Sequence, residues 1–277
     1  MALKDLLVHV DGSRASPARL DAAAELARVH DAHLTGIYVV QVPVLPTYAE
    51  VHIPASIIEA QREAAARAAS AARKQFESAT GRLGISAEWR CIEGGLRDVL
   101  ALNAHYADLL VVGQADPTDP ACVSFGVADH LALECGRPVM VIPAAGTRAP
   151  IGRNVVVAWN ARREAVRAVG DTMPLLEGAV RVTVVTINAS QADPDNAGVP
   201  AADISLHLAR HGIETRARNL FGAPAGVGEQ ILDAARDEQA DLLVMGAYGH
   251  SRFRELVLGG VTAHVLTHTN IPVCLSH

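Results

Sequence analysis

The chain has 277 residues, half of them hydrophobic (50%) and 19% charged, with a formal net charge of −6 at pH 7. That balance excludes a long disordered chain and argues against a surface built for nucleic acid or anionic membrane. Aromatics are only 4% of residues, so Ala, Val and Leu must build the core, and the length allows one large domain or two ordinary ones.

The N-terminus MALKDLLVHVDGS carries one Lys and a short apolar stretch closed by Asp11. It reads as a first strand rather than a signal peptide. No apolar run reaches membrane-spanning length. The four cysteines, Cys91, Cys122, Cys135 and Cys274, have no C-x-x-C spacing and read as free thiols in a reducing cytoplasm, so a cytoplasmic protein is expected.

In chain order, LLVHV is a continuous apolar run, as expected for a parallel strand buried on both faces. SRASPARLDAAAELARVHDA follows as a helix with Leu20, Ala23, Ala24 and Ala27 on one face, Ser16 before Pro17 being its expected N-cap. HLTGIYVV is the second strand. An Ala-rich amphipathic helix is predicted from about Ala55 to Ala79, ending at Gly81, with Arg and Glu on its outer face. It is expected to pack on the sheet, a lid over the first-half pocket being the other reading. Next come ISAEWRCI as a strand, LRDVLALNAHY as a helix, DLLVVG as the fourth strand and PVMVIP as the fifth.

The order then repeats. ADLLVVG (Ala107–Gly113) recurs as ADLLVMG (Ala240–Gly246), and GVADHLALECGRPVMVI has its counterpart in GVTAHVLTHTNIPVCLS. VVVAWNA reopens the pattern after the unpatterned stretch PAAGTRAPI, and a polar excursion around Gln191–Pro200 follows the second strand of this half. Strands alternating with helices need crossover connections, hence parallel strands with helices on both faces. The expectation is an α/β protein of two doubly wound, Rossmann-like domains, 1–147 and 148–277, each a five-stranded parallel sheet.

Ligands of such sheets bind beyond the carboxyl ends of the strands, where the strand order reverses. There the second half has Gly246-Ala-Tyr-Gly249, nine residues, then Gly259-Gly260. Gly246 and Gly249 are expected to turn the chain off the strand at positive φ. Gly259 and Gly260 open a helix whose free N–H groups suit phosphate, with Val261 and the Thr262 hydroxyl behind them.

On these residues the chain resembles the universal stress protein family, whose nucleotide-binding members carry G-x2-G-x9-G followed by Ser or Thr, and an Asp at the end of the first strand. The resemblance covers essentially the whole chain twice and implies a fold akin to the adenine-nucleotide α-hydrolases. It implies ATP, with Mg2+, as the ligand, held by Gly246, Gly249, His250, Gly259, Gly260, Val261 and Thr262, with Ala158, Asn160 and Ile187 at the base end. The second half departs from the pattern at Asn160, where relatives have Asp, and at Gly260, where they have a hydroxyl residue; Trp159 narrows the entrance. The first half keeps Asp11, Val39 and Gly113, but Asp116 replaces the second glycine and, with Asp119, would repel an anion. The first half is therefore read as a degenerate binder and the second as the main site.

The resemblance also implies a stress-response regulator without dedicated catalysis, an internal pseudo-dimer through the fifth strands, and a homodimer of chains. An adenylating enzyme is the rival, but the turns read V-D-G-S and W-N-A-R rather than S-G-G-x-D-S or H-x-G-H. A ligand-free partner-binding protein is the third reading. Asp108 and Asp241, each preceding a fourth strand, read as turn caps. His264 and His268 lie four apart without an obvious third ligand, so metal binding is not expected.

Overall fold

The computed structural model describes residues 2–41, 54–124, 126–147, 150–188, 200–222, 226–248 and 260–277. The first half runs β1 (Asp5–Val10), α1 (Ser16–His30), β2 (His33–Val40), α2 (Ala55–Leu83), β3 (Ala87–Glu93), α3 (Leu96–Ala104), β4 (Leu109–Gly113), α4 (Val127–Glu134) and β5 (Val139–Ile142). The second runs β6 (Asn154–Ala158), α5 (Arg163–Asp171), α6 (Met173–Glu177), β7 (Arg181–Ile187), α7 (Pro200–Arg210), β8 (Thr215–Leu220), α8 (Val227–Asp237), β9 (Leu242–Gly246), α9 (Gly260–His268) and β10 (Val273–Ser276).

Each half is a parallel five-stranded sheet, in the orders β3-β2-β1-β4-β5 and β8-β7-β6-β9-β10. The halves join edge to edge where β5 and β10 pair antiparallel, Val273 opposite Val141 and Leu275 opposite Val139, giving one ten-stranded sheet. The antiparallel pairing leaves neither fifth strand as a free edge, since each covers the other.

Both faces of the inner strands are buried, which explains their unbroken apolar runs, while the outer strands β3 and β8 are largely exposed. Leu6, Val8 and Val155 pack on one face with α1, α2, α5, α6 and α7. Leu7, Leu110 and Val156 pack on the other with α3, α4, α8 and α9. Side chains so enclosed remove most of their apolar surface from water, at about 25 cal/mol per Å2. The helices therefore hold their strand ends firmly, and the crevice between β1 and β4, like that between β6 and β9, is a fixed feature.

Several local expectations are corrected. Ser16 is the first residue of α1 rather than its cap, and its hydroxyl accepts instead from the Asp11 amide at 3.4 Å. Helix α2 runs past Gly81 to Leu83 and ends on Gly84 at φ 64°; a lone glycine costs a helix only about 1 kcal/mol, which a helix of this length tolerates. Its buried apolar residues Ala72, Phe76 and Ala79 lie in the later part, against the sheet, while Glu63–Arg67 and Arg73–Glu77 pair on the outside. The one-and-a-half-turn α6 had no periodic signal. The excursion at 191–199 lies outside the described residues.

The paired aspartates are caps. Asp108 accepts from the Lys4 and Asp5 amides (2.7 and 3.1 Å), and Asp241 from those of Gly152, Arg153 and Asn154 (2.6–2.9 Å). Each ties the start of the central strand to the start of its neighbour. All four cysteines are free; Cys91 is exposed and the others are buried. No helix among the described residues is long and apolar enough to cross a membrane.

Candidate functional site

In the second half the strand ends enclose a cleft of about 420 Å3. Ala158, Met245 and Gly246 form its floor at the carboxyl ends of β6 and β9. Val185 and Ile187 of β7 face Val227 and Ile231 of α8 across it, and Val261 and Thr262 of α9 close a third side. Trp159, Asn160, Ala165 and Tyr248 complete the rim. Of the residues expected at a ligand site, Ala158, Asn160, Ile187, Gly246, Val261 and Thr262 converge here. Gly260 begins α9 beside them and is exposed. Gly249, His250 and Gly259 lie outside the described residues.

Gly246 has a different task from the expected one. It is not among the residues of positive φ; the left-handed residue of this turn is Tyr248, at φ 57°. A Cβ on Gly246 would stand 2.6 Å from the Ala165 nitrogen and 2.6 Å from the Glu164 carbonyl carbon. The glycine lets the first turn of α5 sit directly on the end of β9. Thr262 is buried, and its Oγ1 accepts from the Tyr248 amide at 3.4 Å, fastening turn to helix. Asn160 is exposed, and its side-chain oxygen accepts from the Arg162 amide at 3.1 Å, closing a local turn.

Sequence reading did not single out Met245, Tyr248, Val227 or Ile231. The last two were legible as an i,i+4 apolar pair. Together with Ile187 they make an apolar slot suited to a flat ring, with the amino end of α9 beside it.

The first half is different at the same place. Leu6 pairs with Leu109 as Val155 does with Leu242, so Asp11 corresponds to Asn160, His9 to Ala158 and Arg19 to Ala168. Arg19 comes from α1 and is 1% exposed. Its Nε donates to the His9 carbonyl at 2.7 Å, and its Nη2 stands 2.8 Å from Asp11 Oδ1. A Cβ on Gly113 would be 2.1 Å from Arg19 Nη1. The guanidinium therefore lies across the ends of β1 and β4. Asp11 is buried, and its Oδ1 also accepts from the Ser13 amide and hydroxyl (3.0 and 2.5 Å). Burial alone would raise this carboxyl, but Arg19, His9 and the Ser13 hydrogen bonds hold it below its ordinary range. His9 is pushed down to about 3 by burial, with Arg19 adding to the effect, and is neutral at physiological pH. Val39 is buried at the end of β2.

The first-half loop is likewise satisfied from within. Asp116 Oδ1 accepts from the Thr118 amide and hydroxyl, and those bonds hold the carboxyl below its usual range. Asp119 accepts from the Arg14 and Ala121 amides and is lowered chiefly by the first. Both carboxylates also face Arg14 at 3.5 Å.

His264 and His268 stack at 4.3 Å, and His268 Nδ1 bonds the His264 carbonyl, an arrangement that turns that nitrogen onto its own helix. Among the described residues no three His, Cys, Asp or Glu side chains are placed to hold a metal ion.

Universal stress protein Slr1230 of Synechocystis sp. (strain ATCC 27184 / PCC 6803 / Kazusa) is 40% identical over 91 residues, 32% of this chain and 30% of that protein. Universal stress protein MJ0577 of Methanocaldococcus jannaschii is 40% identical over 45 residues, 16% of this chain and 28% of that protein. The matches thus span under a third of either relative. The crystal structure of a universal stress protein from Archaeoglobus fulgidus DSM 4304 superposes with a TM-score of 0.75 at 16% identity, over 98% of this chain and 97% of that one. Protein PA1789 from Pseudomonas aeruginosa PAO1, of unknown function, does so with a TM-score of 0.60 at 14% identity, over 99% and 92%. These two likenesses establish the fold. The model of the universal stress protein family matches residues 2–143 and again 153–277, so the chain belongs to that family and carries its domain twice.

Proposed function

We propose that this protein is a regulatory binding protein with one working site, an adenine nucleotide held in the second-half cleft. The first half, residues 1–147, is a closed copy; the second, residues 148–277, keeps the opening. The observation that carries this reading is the contrast at equivalent crevices. One is a cleft of about 420 Å3 with an apolar slot and a helix N-terminus, and the other is crossed by a buried guanidinium paired with the very carboxylate that would meet a ligand. The slot takes the base between Ile187, Val227 and Ile231, and the amino end of α9 takes phosphate with its bound Mg2+. Asp11, Val39 and Gly113 serve the internal ion pair and its packing rather than a nucleotide.

No activated nucleophile beside a base faces the cleft among the described residues, so binding rather than turnover is the proposed activity. Any ATP hydrolysis should fall far below about 10 per second, the median for enzymes. Both fifth strands are occupied by each other. A homodimer of chains, which the family resemblance implies, would need another surface.

Trp159 on the rim reports occupancy by fluorescence. Titration with Mg-ATP should give a saturable change equivalent to one nucleotide per chain. Gly246→Val is a poor control because its side chain would strike α5 backbone. Gly260→Glu is a clean one, since a Cβ there meets nothing within 4 Å while its carboxylate opposes phosphate; affinity should fall at least about tenfold. No change at millimolar Mg-ATP in the unaltered protein would overturn the reading.

A further inference from the structure

The closed half is not idle in this arrangement. Helices α4 and α9 lie on the same face of the sheet, and the seam between β5 and β10 runs between their domains. Two side chains cross it in opposite directions. Tyr248, on the rim of the second-half cleft, donates its hydroxyl to Asp129 Oδ1 in the first turn of α4. Gln114 leaves the end of β4 and donates Nε2 to carbonyls in the last turn of α9, Leu266 at 2.9 Å and Thr267 at 3.2 Å, and to that of Thr269 just beyond it at 3.2 Å. Its Oε1 is fixed in turn by the Ala144 amide at 2.9 Å.

These contacts fall on the two elements that shape the phosphate end of the cleft. Tyr248 is a bulky residue at φ 57°, a conformation that persists only where surroundings impose it. Inside its own half it has the 3.4 Å bond from its amide to Thr262; the carboxylate of the other half supplies a charge-assisted bond at the far end of its side chain. The carbonyls at the end of α9 have no partners within the helix, and Gln114 supplies a donor to them. Both supporting residues stand next to the first half's own strand end and helix entrance: Gln114 directly follows Gly113, and Asp129 lies in the first turn of the helix equivalent to α9.

We infer that Asp129 and Gln114 are positioning residues for the second-half nucleotide cleft, which is complete only in the fused chain. This rests on the nucleotide reading above for its ligand but not for its mechanical claim, and two measurements on the full chain separate them. Asp129→Ala and Tyr248→Phe should each weaken Mg-ATP binding about tenfold. The double variant should be no weaker than either single one, because both remove the same bond. Asp129→Asn, which keeps an acceptor oxygen, should recover most of the loss, and Gln114→Ala should cost about threefold. Without nucleotide, amide exchange at Tyr248 and through α9 should be faster in Asp129→Ala than in the unaltered chain. Unchanged exchange in Asp129→Ala overturns the inference whatever the affinities do. If the unaltered protein binds no Mg-ATP, the nucleotide reading fails, and faster exchange still upholds the positioning role. Affinity unchanged in Asp129→Ala, with the unaltered protein binding, overturns it as well.

Discussion

The crevice between β1 and β4 and the crevice between β6 and β9 are built from matching strands in matching register, yet one is full and the other is open. Arg19 fills the first, and Ala168, buried at the corresponding place, leaves the second free. Glycine ends the fourth strand of both halves but answers two different needs. At Gly113 it admits a guanidinium, and at Gly246 it admits the backbone of α5. A glycine at the end of a strand therefore reports that something comes close, without saying that the visitor is a phosphate.

The largest effect expected from breaking this contrast is at Arg19. Arg19→Ala would leave Asp11 buried without its cation, which costs on the order of 3–5 kcal/mol. Chemical denaturation should show a loss of that size. Replacing both partners with apolar residues of similar volume, Arg19→Met with Asp11→Leu, should return much of it, because the desolvation of two charges disappears together. A single variant as stable as the unaltered chain would mean that the guanidinium is not the structural occupant of the first crevice.

A smaller effect comes from His9, whose counterpart Ala158 cannot titrate. Its folded-state pKa is depressed from 6.5 to about 3, so the unfolded chain takes up the proton first as pH falls. The stability it confers is complete above 6.5 and is lost progressively toward 3, amounting to about 2 kcal/mol by pH 5. Asp11, also lowered, acts in the same direction but only below the ordinary carboxylate range. Unfolding free energies between pH 8 and pH 5 should therefore fall in the unaltered protein and fall less in His9→Gln. Equal slopes in the two proteins would show that His9 is already protonated when folded, or that it gains access to water.

Much of this was legible in the chain itself, and what was not has a common physical cause. Apolar runs, the ADLLVVG and ADLLVMG repeats and the alternation with helices carry the sheet and its doubling, because period and burial are local signals. Among the cleft residues, Thr262 follows from its place at a helix start, while Ala158 and Ile187 rest on the family resemblance. Arg19 gave no signal, since one arginine in an Ala-rich helix reads as a solvated residue until the strand ends are placed beside it. Tyr248 and Gln114 gave none either. Their partners are 119 and 152 residues away, and only the antiparallel seam brings those together. Of the two glycines expected at positive φ, Gly246 does not adopt it and serves close packing against α5, Gly249 lies outside the described residues, and the left-handed Tyr248 between them was not foreseen.

The smallest expected effect sharpens the contrast at the helix entrances, where the two halves again place glycine at homologous positions. Gly126, before α4, has φ 62°, and a Cβ there would stand 2.8 Å from Arg97 Nη2. Gly260 opens α9, and a Cβ there would meet nothing within 4 Å. Alanine should therefore act with opposite sign. Gly126→Ala forces a left-handed backbone on a residue with a Cβ and displaces a side chain, at about 1 kcal/mol of stability. Gly260→Ala narrows the unfolded ensemble without a collision and should add about 0.5 kcal/mol. For a chain of this size such changes move the melting temperature by only about 1–4 °C, down in the first case and up in the second. Because Gly260→Ala keeps every backbone N–H at the start of α9, Mg-ATP affinity should stay within about twofold of the unaltered protein while Gly260→Glu loses it. A loss of binding in the alanine variant would mean that the ligand approaches this backbone too closely for a methyl group. In that case Gly260 would be the one glycine of the pair that is kept for a ligand, while Gly126 serves only the geometry of its turn.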